Sequence, residues 1–156
     1  MPTASPRHRS WPLVLPGLLA LSLGAAVYLT DRQHPHASLG FGLIGAWLPA
    51  FVHPFAFSLF TAAVLGPSAR PRYGACAAWA LVNIAFELGQ HASLKAPLAD
   101  ALHAHPGPSA PVRWLADYFL RGTFDVGDLL AIVLGALAAA CLLHALQAPR
   151  EPVDDR

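Results

Sequence analysis

Acidic and amide side chains stand at one end of each of two apolar segments. Glu87, Gln90 and His91 close one segment, and Asp125 and Asp128 open another. Residues three and four apart share a face of an α-helix, so the first three side chains form one polar face. Carboxylates that share a water-poor site can have their pKa values pushed apart, as acid–base chemistry requires. We therefore take Glu87, Asp125 and Asp128 as candidate catalytic residues.

The two aspartates also fit an ordinary structural role. Thr123 or Asp125 could accept the free N–H groups at the start of a helix, and a carboxylate there is favoured by the helix dipole. Glu87 is different, because a negative charge near a helix C-terminus meets the unfavourable end of the dipole. We expect Arg121 or Arg113 to supply its counter-charge. The candidate substrate-binding residues are Gln90, His91, Thr123, Arg121 and Arg113.

Histidine is frequent, with eight in the chain. His53 precedes a proline inside an apolar segment, where an imidazole must find a hydrogen-bond partner. It is either a satisfied core histidine or a further catalytic candidate. The pairs His34/His36 and His103/His105 match no known zinc signature, and we interpret them as solvated loop residues. We predict no metal site and no cofactor.

Composition indicates a membrane protein. The 156 residues are 55% hydrophobic and 12% charged, with a mean hydropathy of +0.46. Soluble domains carry about 25% charged residues. The net charge of +1 gives no reason to expect a nucleic-acid partner.

Cys76 and Cys141 both lie in apolar runs, where small buried residues are expected rather than a redox pair.

Four apolar runs approach the roughly 20 residues that a membrane-spanning helix needs. They are Trp11–Thr30, Gly45–Gly66, Tyr73–Gln90 and Gly127–Gln147. The first also resembles a signal peptide, but it is longer than the usual apolar core of one, so we predict a retained helix. The sequence thus predicts an all-α, polytopic membrane helix bundle over residues 11–147, between cytoplasmic tails at 1–10 and 148–156.

Arginine and lysine positions predict the orientation. Six fall on the side of the termini and four on the other side, namely Arg7, Arg9, Arg70, Arg72, Arg150 and Arg156 against Arg32, Lys95, Arg113 and Arg121. The short loop with Arg70 and Arg72 weighs most under the positive-inside rule. Both termini are therefore expected in the cytoplasm, with the acidic residues at the outer face of the inner (plasma) membrane.

Two segments between the spans need separate predictions. Arg113, Asp117 and Arg121 recur at every fourth position of an aromatic stretch, which predicts a short helix lying in the membrane interface. A soluble cap packed on the bundle is the alternative. The Gly-rich segment Leu39–Trp47 either extends the second span or dips back into the membrane.

These residues resemble the VanZ-like family of small bacterial multi-pass membrane proteins. The resemblance rests on residues 87–90 (ELGQ), on residues 122–131 (GTFDVGDLLA) and on the following Gly135, with His53 similar to a histidine that often opens another span. It implies that Glu87, Gln90, Asp125 and Asp128 occupy matched positions. Two positions depart from the pattern. Ile132 stands where the family has asparagine, and the family's arginine falls on Gly122, beside Arg121.

Three functions are consistent with this sequence. The acids could form an outward-facing pocket that binds or modifies a lipid-linked compound of the cell envelope, which we favour. They could instead form a proton or cation relay in a small transporter, as a homo-oligomer. Alternatively, they could join two helices of a protein that acts as a partner or assembly factor for other membrane proteins. Whether the chain is an enzyme is left open.

Overall fold

A computed structural model describes residues 11–33, 42–104, 107 and 109–147. Within these residues the chain forms six helices and no strand, which confirms the all-α prediction. The helices are α1 (Trp11–Gln33), α2 (Gly42–Leu65), α3 (Ala69–Gly89), α4 (Lys95–His103), α5 (Ala110–Arg121) and α6 (Val126–Gln147). The tails predicted at 1–10 and 148–156, and the predicted loop residues His34, His36 and His105, lie outside the described residues.

Three of these helices are long and apolar enough to cross a membrane. They contain the stretches Trp11–Thr30, Gly45–Leu65 and Val126–Gln147. Helix α3 has 21 residues, but it carries Arg70, Arg72 and Glu87 and is not among the three. Large apolar side chains of α1 and α6 are exposed, including Leu19, Leu23, Leu134 and Leu137. A helix that is apolar on every side belongs in a protein core or in lipid, so the chain has the helices of a membrane protein.

Helix α2 is the centre of the bundle. It packs against α1, α3 and α6, and α3 also packs against α6. Gly17 of α1 lies so close to the ring of Phe60 on α2 that a Cβ on this glycine would overlap the ring. Gly135 of α6 lies against the backbone carbonyl of Phe51 so closely that a Cβ would overlap it. Glycine therefore allows close approach of α1 and of α6 to α2.

The bundle has one apolar end and one polar end. At the apolar end, buried side chains from α1, α2, α3 and α6 form one cluster, namely Leu13, Leu59, Ala62, Cys76, Ala139 and Leu143. We call the opposite end, where α3 finishes and α6 starts, the polar end. Cys76 is buried as expected, but the same expectation for Cys141 is wrong, because this thiol faces outward on α6. Both thiols are free.

The segments between the long helices are mostly helical. Helix α2 begins at Gly42 and continues through Pro49 and Pro54, so the described part of Leu39–Trp47 extends the second apolar helix and does not dip back. Helix α5 confirms the helix predicted at 112–121. Helix α4 was not predicted. Its Pro97 lies in the first turn, where the missing N–H breaks no helical hydrogen bond.

Candidate functional site

The buried carboxylate of Glu87 joins the end of α3 to the start of α6. The backbone N–H of Asp125 donates a hydrogen bond of 2.7 Å to Glu87 Oε1. The two residues are 38 positions apart in the chain. Only 7% of Glu87 is exposed. The structure therefore brings together the two acidic segments that the sequence suggested should meet.

Asp125 is the residue that caps α6. Its carboxylate oxygen Oδ1 accepts the backbone N–H of Gly127 at 2.7 Å, and its backbone carbonyl accepts the N–H of Asp128 at 3.1 Å. Asp125 thus holds the helix start with its side chain while its own N–H binds Glu87. Thr123, the other capping candidate, is exposed. The structural role considered for the aspartates is therefore realised by Asp125, in the same contact that engages Glu87.

Asp128 and Trp47 place two unsatisfied polar atoms beside this contact. Asp128 Oδ1 and the indole nitrogen Nε1 of Trp47 are buried and lack a hydrogen-bond partner among the residues that the structure describes. The Trp47 ring covers Gly127, where a Cβ would overlap Nε1. Asp125 and Asp128 are both electrostatic neighbours of Glu87. A buried donor or acceptor left unpaired costs free energy, so the polar end carries a local penalty at each of these two atoms.

Gln90 fastens α5 to the polar end. Its Nε2 donates to the hydroxyl of Tyr118 at 3.0 Å, and its side-chain amide fills the space beside Gly122, where a Cβ would overlap it. The ring of Phe119 lies on Gly89 in the same way. Sequence reasoning did not single out Trp47, Tyr118, Phe119 or the two glycines. The available signal was the glycine inside each acidic motif, since such a glycine often marks a close approach.

Tyr118 adds a phenol to the neighbourhood of Glu87. Burial raises the pKa of the Tyr118 hydroxyl, and the negative charge of Glu87 raises it further, while the hydrogen bond from Gln90 opposes the change. The ring packs edge-on against Phe86, with centroids 5.7 Å apart. The polar end therefore contains three carboxyl groups, an amide and a phenol.

Arg121 does not occupy the position predicted for it. Arg121 Nη2 lies 3.2 Å from Asp117 Oδ2, and both side chains are largely exposed. The structure thus pairs Arg121 with Asp117 instead of Glu87. Residues four apart on a helix are neighbours, so these two side chains can pair while both stay exposed to water. Arg113 is exposed on the same helix.

His91 and Thr123 line a separate small cavity. It measures about 260 Å³ and also contacts Gln90, Lys95 and Phe124. His91 is exposed, shares a hydrogen bond of 2.8 Å with Ser93, and meets the Phe124 ring edge-on. Gln90 borders this cavity as well as the Tyr118 contact, so it is the link between the two places.

His53 lies elsewhere in the bundle. It lines a groove between α1 and α2 together with Tyr28 and Val52, and its ring stacks on Phe57 with centroids 6.1 Å apart. The Glu87 contact, by contrast, joins α3 to α6. The structure therefore does not bring His53 to the acidic residues. No group of three or more metal-binding side chains occurs in the described parts of the chain.

Comparison with known proteins gives no relative of this chain, so the functional interpretation rests on the geometry. No known protein family, curated protein or solved structure matches the chain. The polar end offers carboxyl oxygens and a phenol that can accept or exchange protons, beside apolar helix surfaces. Such a combination suits an amphiphilic ligand, which has one polar and one apolar part.

Proposed function

We propose that this chain is a VanZ-like, multi-pass protein of the bacterial inner membrane that binds a lipid-linked compound of the cell envelope at its outer face. The observation that carries the proposal is the buried Glu87 carboxylate, held by the Asp125 N–H among further acids at the end of apolar helices. Ionisable residues within membrane helices commonly mark functional sites. Headgroup hydroxyls are suitable donors to it.

The proposal includes four spans, namely α3 in addition to the three long apolar helices α1, α2 and α6. A helix of its length extends about 32 Å, enough for a hydrocarbon core of roughly 30 Å. It packs against α2 and α6, which are both apolar enough to span. Its charged residues are near its ends, where Arg72 donates to the carbonyl of Gly66 and Glu87 accepts from the backbone N–H of Asp125. Helix α5, with Trp114 largely exposed beside a charged stripe, would lie in the outer interface.

Cysteine labelling is expected to show both termini in the cytoplasm. Ser68, between α2 and α3, and Ala104, after α4, are both exposed. In a background with Cys76 and Cys141 replaced by alanine, a membrane-impermeant maleimide added to intact cells should label Ala104→Cys and spare Ser68→Cys. Permeabilised cells provide the control, since both positions should then react. Labelling of Ser68→Cys from outside would reverse the orientation and place the acidic site in the cytoplasm.

A proton or cation relay is a weaker interpretation of the same acids. At the opposite end, Leu13, Leu59, Leu143 and their neighbours form an apolar cluster, and the polar groups near it bond locally, Arg72 to the carbonyl of Gly66 and Tyr73 to His144. A relay through one chain needs polar groups along its length. We therefore favour a ligand that enters and leaves at the outer face.

Lipid extraction from the purified protein tests the proposed function. Glu87→Gln removes the charge but keeps an oxygen that can accept the Asp125 N–H, so the variant should fold. We expect one envelope lipid, found with the native protein by mass spectrometry, to fall at least about tenfold in this variant, as for a loss of about 1.4 kcal/mol. Asp100→Asn, at an exposed acid on α4, is the matched control and should retain the lipid.

Two other results of this experiment would contradict or replace the proposed function. Equal recovery of every lipid from the native protein and from Glu87→Gln would contradict binding at this site. If a membrane protein co-purified with the chain in place of a lipid, and did so independently of Glu87, the role of partner or assembly factor would replace the proposal.

A further inference from the structure

A small polar cavity lies where α3 ends and α4 begins. It measures about 260 Å³, and its lining comprises Gln90, His91, Ala92, Lys95, Thr123 and Phe124. This described lining contains a lysine, an imidazole, an amide and a hydroxyl, and no carboxylate. The acids of the polar end lie instead at the contact between α3 and α6, where Asp125 uses its own carboxylate to cap α6. The cavity is therefore lined by hydrogen-bond donors and positive charge.

Lys95 supplies the positive charge of this cavity. It is the only lysine in the chain and the first residue of α4. Within the described residues the ion pair is that of Arg121 with Asp117 on α5, and no carboxylate pairs with Lys95. A lysine ammonium binds phosphate as a point charge through short, charge-assisted hydrogen bonds. An anion is therefore the ligand that this side chain is suited to bind.

The imidazole of His91 is held so that one of its nitrogens can donate. The backbone N–H of Ser93 donates to His91 Nδ1 at 3.3 Å, and Ser93 Oγ lies 2.8 Å from the same nitrogen. A ring nitrogen that accepts an N–H carries no proton, so the neutral ring has its proton on Nε2. The Phe124 ring meets the imidazole edge-on, with centroids 5.1 Å apart. The His91 Nε2–H and the Thr123 hydroxyl thus add two neutral donors to the lining.

Exposed leucines next to the cavity indicate where the anion comes from. Leu94 directly precedes Lys95 and is 45% exposed, and Leu98, on the next turn, is 38% exposed. Residues four apart share a face of a helix, so these two leucines form an apolar patch beside Lys95. Lysine beside an apolar helix face is typical of segments at the headgroup level of a membrane. The combination is complementary to a lipid phosphate, with its acyl chains, and not to phosphate alone.

We propose that this cavity binds the phosphate group of a membrane-lipid headgroup, with Lys95 as its charged partner and His91 Nε2 and the Thr123 hydroxyl as further donors. The inference rests on the proposed function and specifies the group by which the ligand is recognised. The cavity volume of about 260 Å³ is below the range of about 300–1,000 Å³ for whole small-molecule ligands, so it holds part of a headgroup. The acyl chains lie outside it, along Leu94 and Leu98.

Protection of Lys95 from an amine-reactive reagent tests this inference in the full-length protein. The protein is kept in dodecyl maltoside, a detergent without phosphate, and acetylation of the single lysine is followed by peptide mass spectrometry. Dioleoylphosphatidic acid should protect Lys95 at a concentration at least about tenfold lower than dioleoylglycerol, which has the same chains without the phosphate. This ratio is expected for one charge-assisted hydrogen bond. Inorganic phosphate, at the concentrations used for the lipid, should not protect.

Matched variants separate the cavity from general attraction of anionic lipid. Native mass spectrometry counts the phosphatidic acid bound to each variant. Lys95→Gln should weaken binding about tenfold, whereas Arg70→Gln, at an exposed cation near the other end of α3, should not. His91→Ala removes a neutral donor and should weaken binding about fivefold, whereas His103→Ala, at an exposed histidine of α4, should not.

Several results would overturn the inference. Equal protection by phosphatidic acid and by dioleoylglycerol would refute recognition of the phosphate, and an equal loss in Arg70→Gln would reduce the effect to net charge. Equal protection by inorganic phosphate would assign the cavity to free phosphate and refute the lipid headgroup.

The same measurements distinguish this inference from the proposed function. Phosphatidic acid binding that does not depend on Lys95, with a Glu87-dependent lipid still co-purifying, would end this inference and leave the proposed function standing. Binding that depends on Lys95, without any Glu87-dependent lipid, would end the proposed function alone.

Discussion

Replacing Gly135 by alanine is expected to destabilise the protein by about 2 kcal/mol, as overpacking of a tight contact does. The new Cβ would overlap the backbone carbonyl of Phe51 and lie 3.2 Å from Pro54 Cγ. A backbone atom cannot move aside as the end of a flexible side chain can, so α2 and α6 must separate. Denaturation in detergent micelles, followed by circular dichroism, measures the change.

The same substitution at Gly74 should have the opposite sign. Gly74 lies inside α3, and no heavy atom of the described chain comes within 4 Å of a Cβ built there. Alanine is favoured over glycine in a helix by up to about 1 kcal/mol, so Gly74→Ala should be neutral or stabilising. If both variants were equally stable, α2 and α6 would not be in the close contact described.

Replacing Glu87 by leucine is expected to loosen the start of α6. The N–H of Asp125 would lose the carboxylate that accepts it, and loss of such a part-buried hydrogen bond costs about 0.5–1.5 kcal/mol. Glu87→Gln should keep most of that stability, because its amide oxygen can accept the same hydrogen bond. Backbone amide exchange at Asp125, measured by nuclear magnetic resonance, should become faster in the leucine variant and change little in the glutamine variant.

An exposed acid provides the comparison for this second effect. Asp100→Leu on α4 changes the same kind of group where no buried donor depends on it, and it should shift stability by no more than about 0.5 kcal/mol. Unchanged exchange at Asp125 in Glu87→Leu would show that the link between α3 and α6 is not made through this carboxylate.

Local patterns in the sequence were sufficient for much of the helical framework. Long apolar runs predict α1, α2 and α6, because both lipid-facing and buried positions are apolar. The recurrence of Arg113, Asp117 and Arg121 at every fourth position predicts α5, because residues at that spacing share one face of a helix. Helix α4 was missed because prolines and histidines around it resemble loop composition. The pairing of Arg121 with Asp117 is also local, and helical spacing alone predicts it.

Contacts between distant segments follow from the packing of the whole bundle and cannot be predicted from local patterns. Apolar runs alone predict that Glu87 and Asp125 stand at the ends of helices. Three other features depend on how α2 packs against its three neighbours. Glu87 accepts the Asp125 N–H, Trp47 covers Gly127, and His53 faces α1. Helical periodicity fixes which residues share a face, but rotation and separation of packed helices follow from side-chain volumes across the whole bundle. Short glycine contacts such as Gly135 on Phe51 set those distances, and no local pattern encodes them.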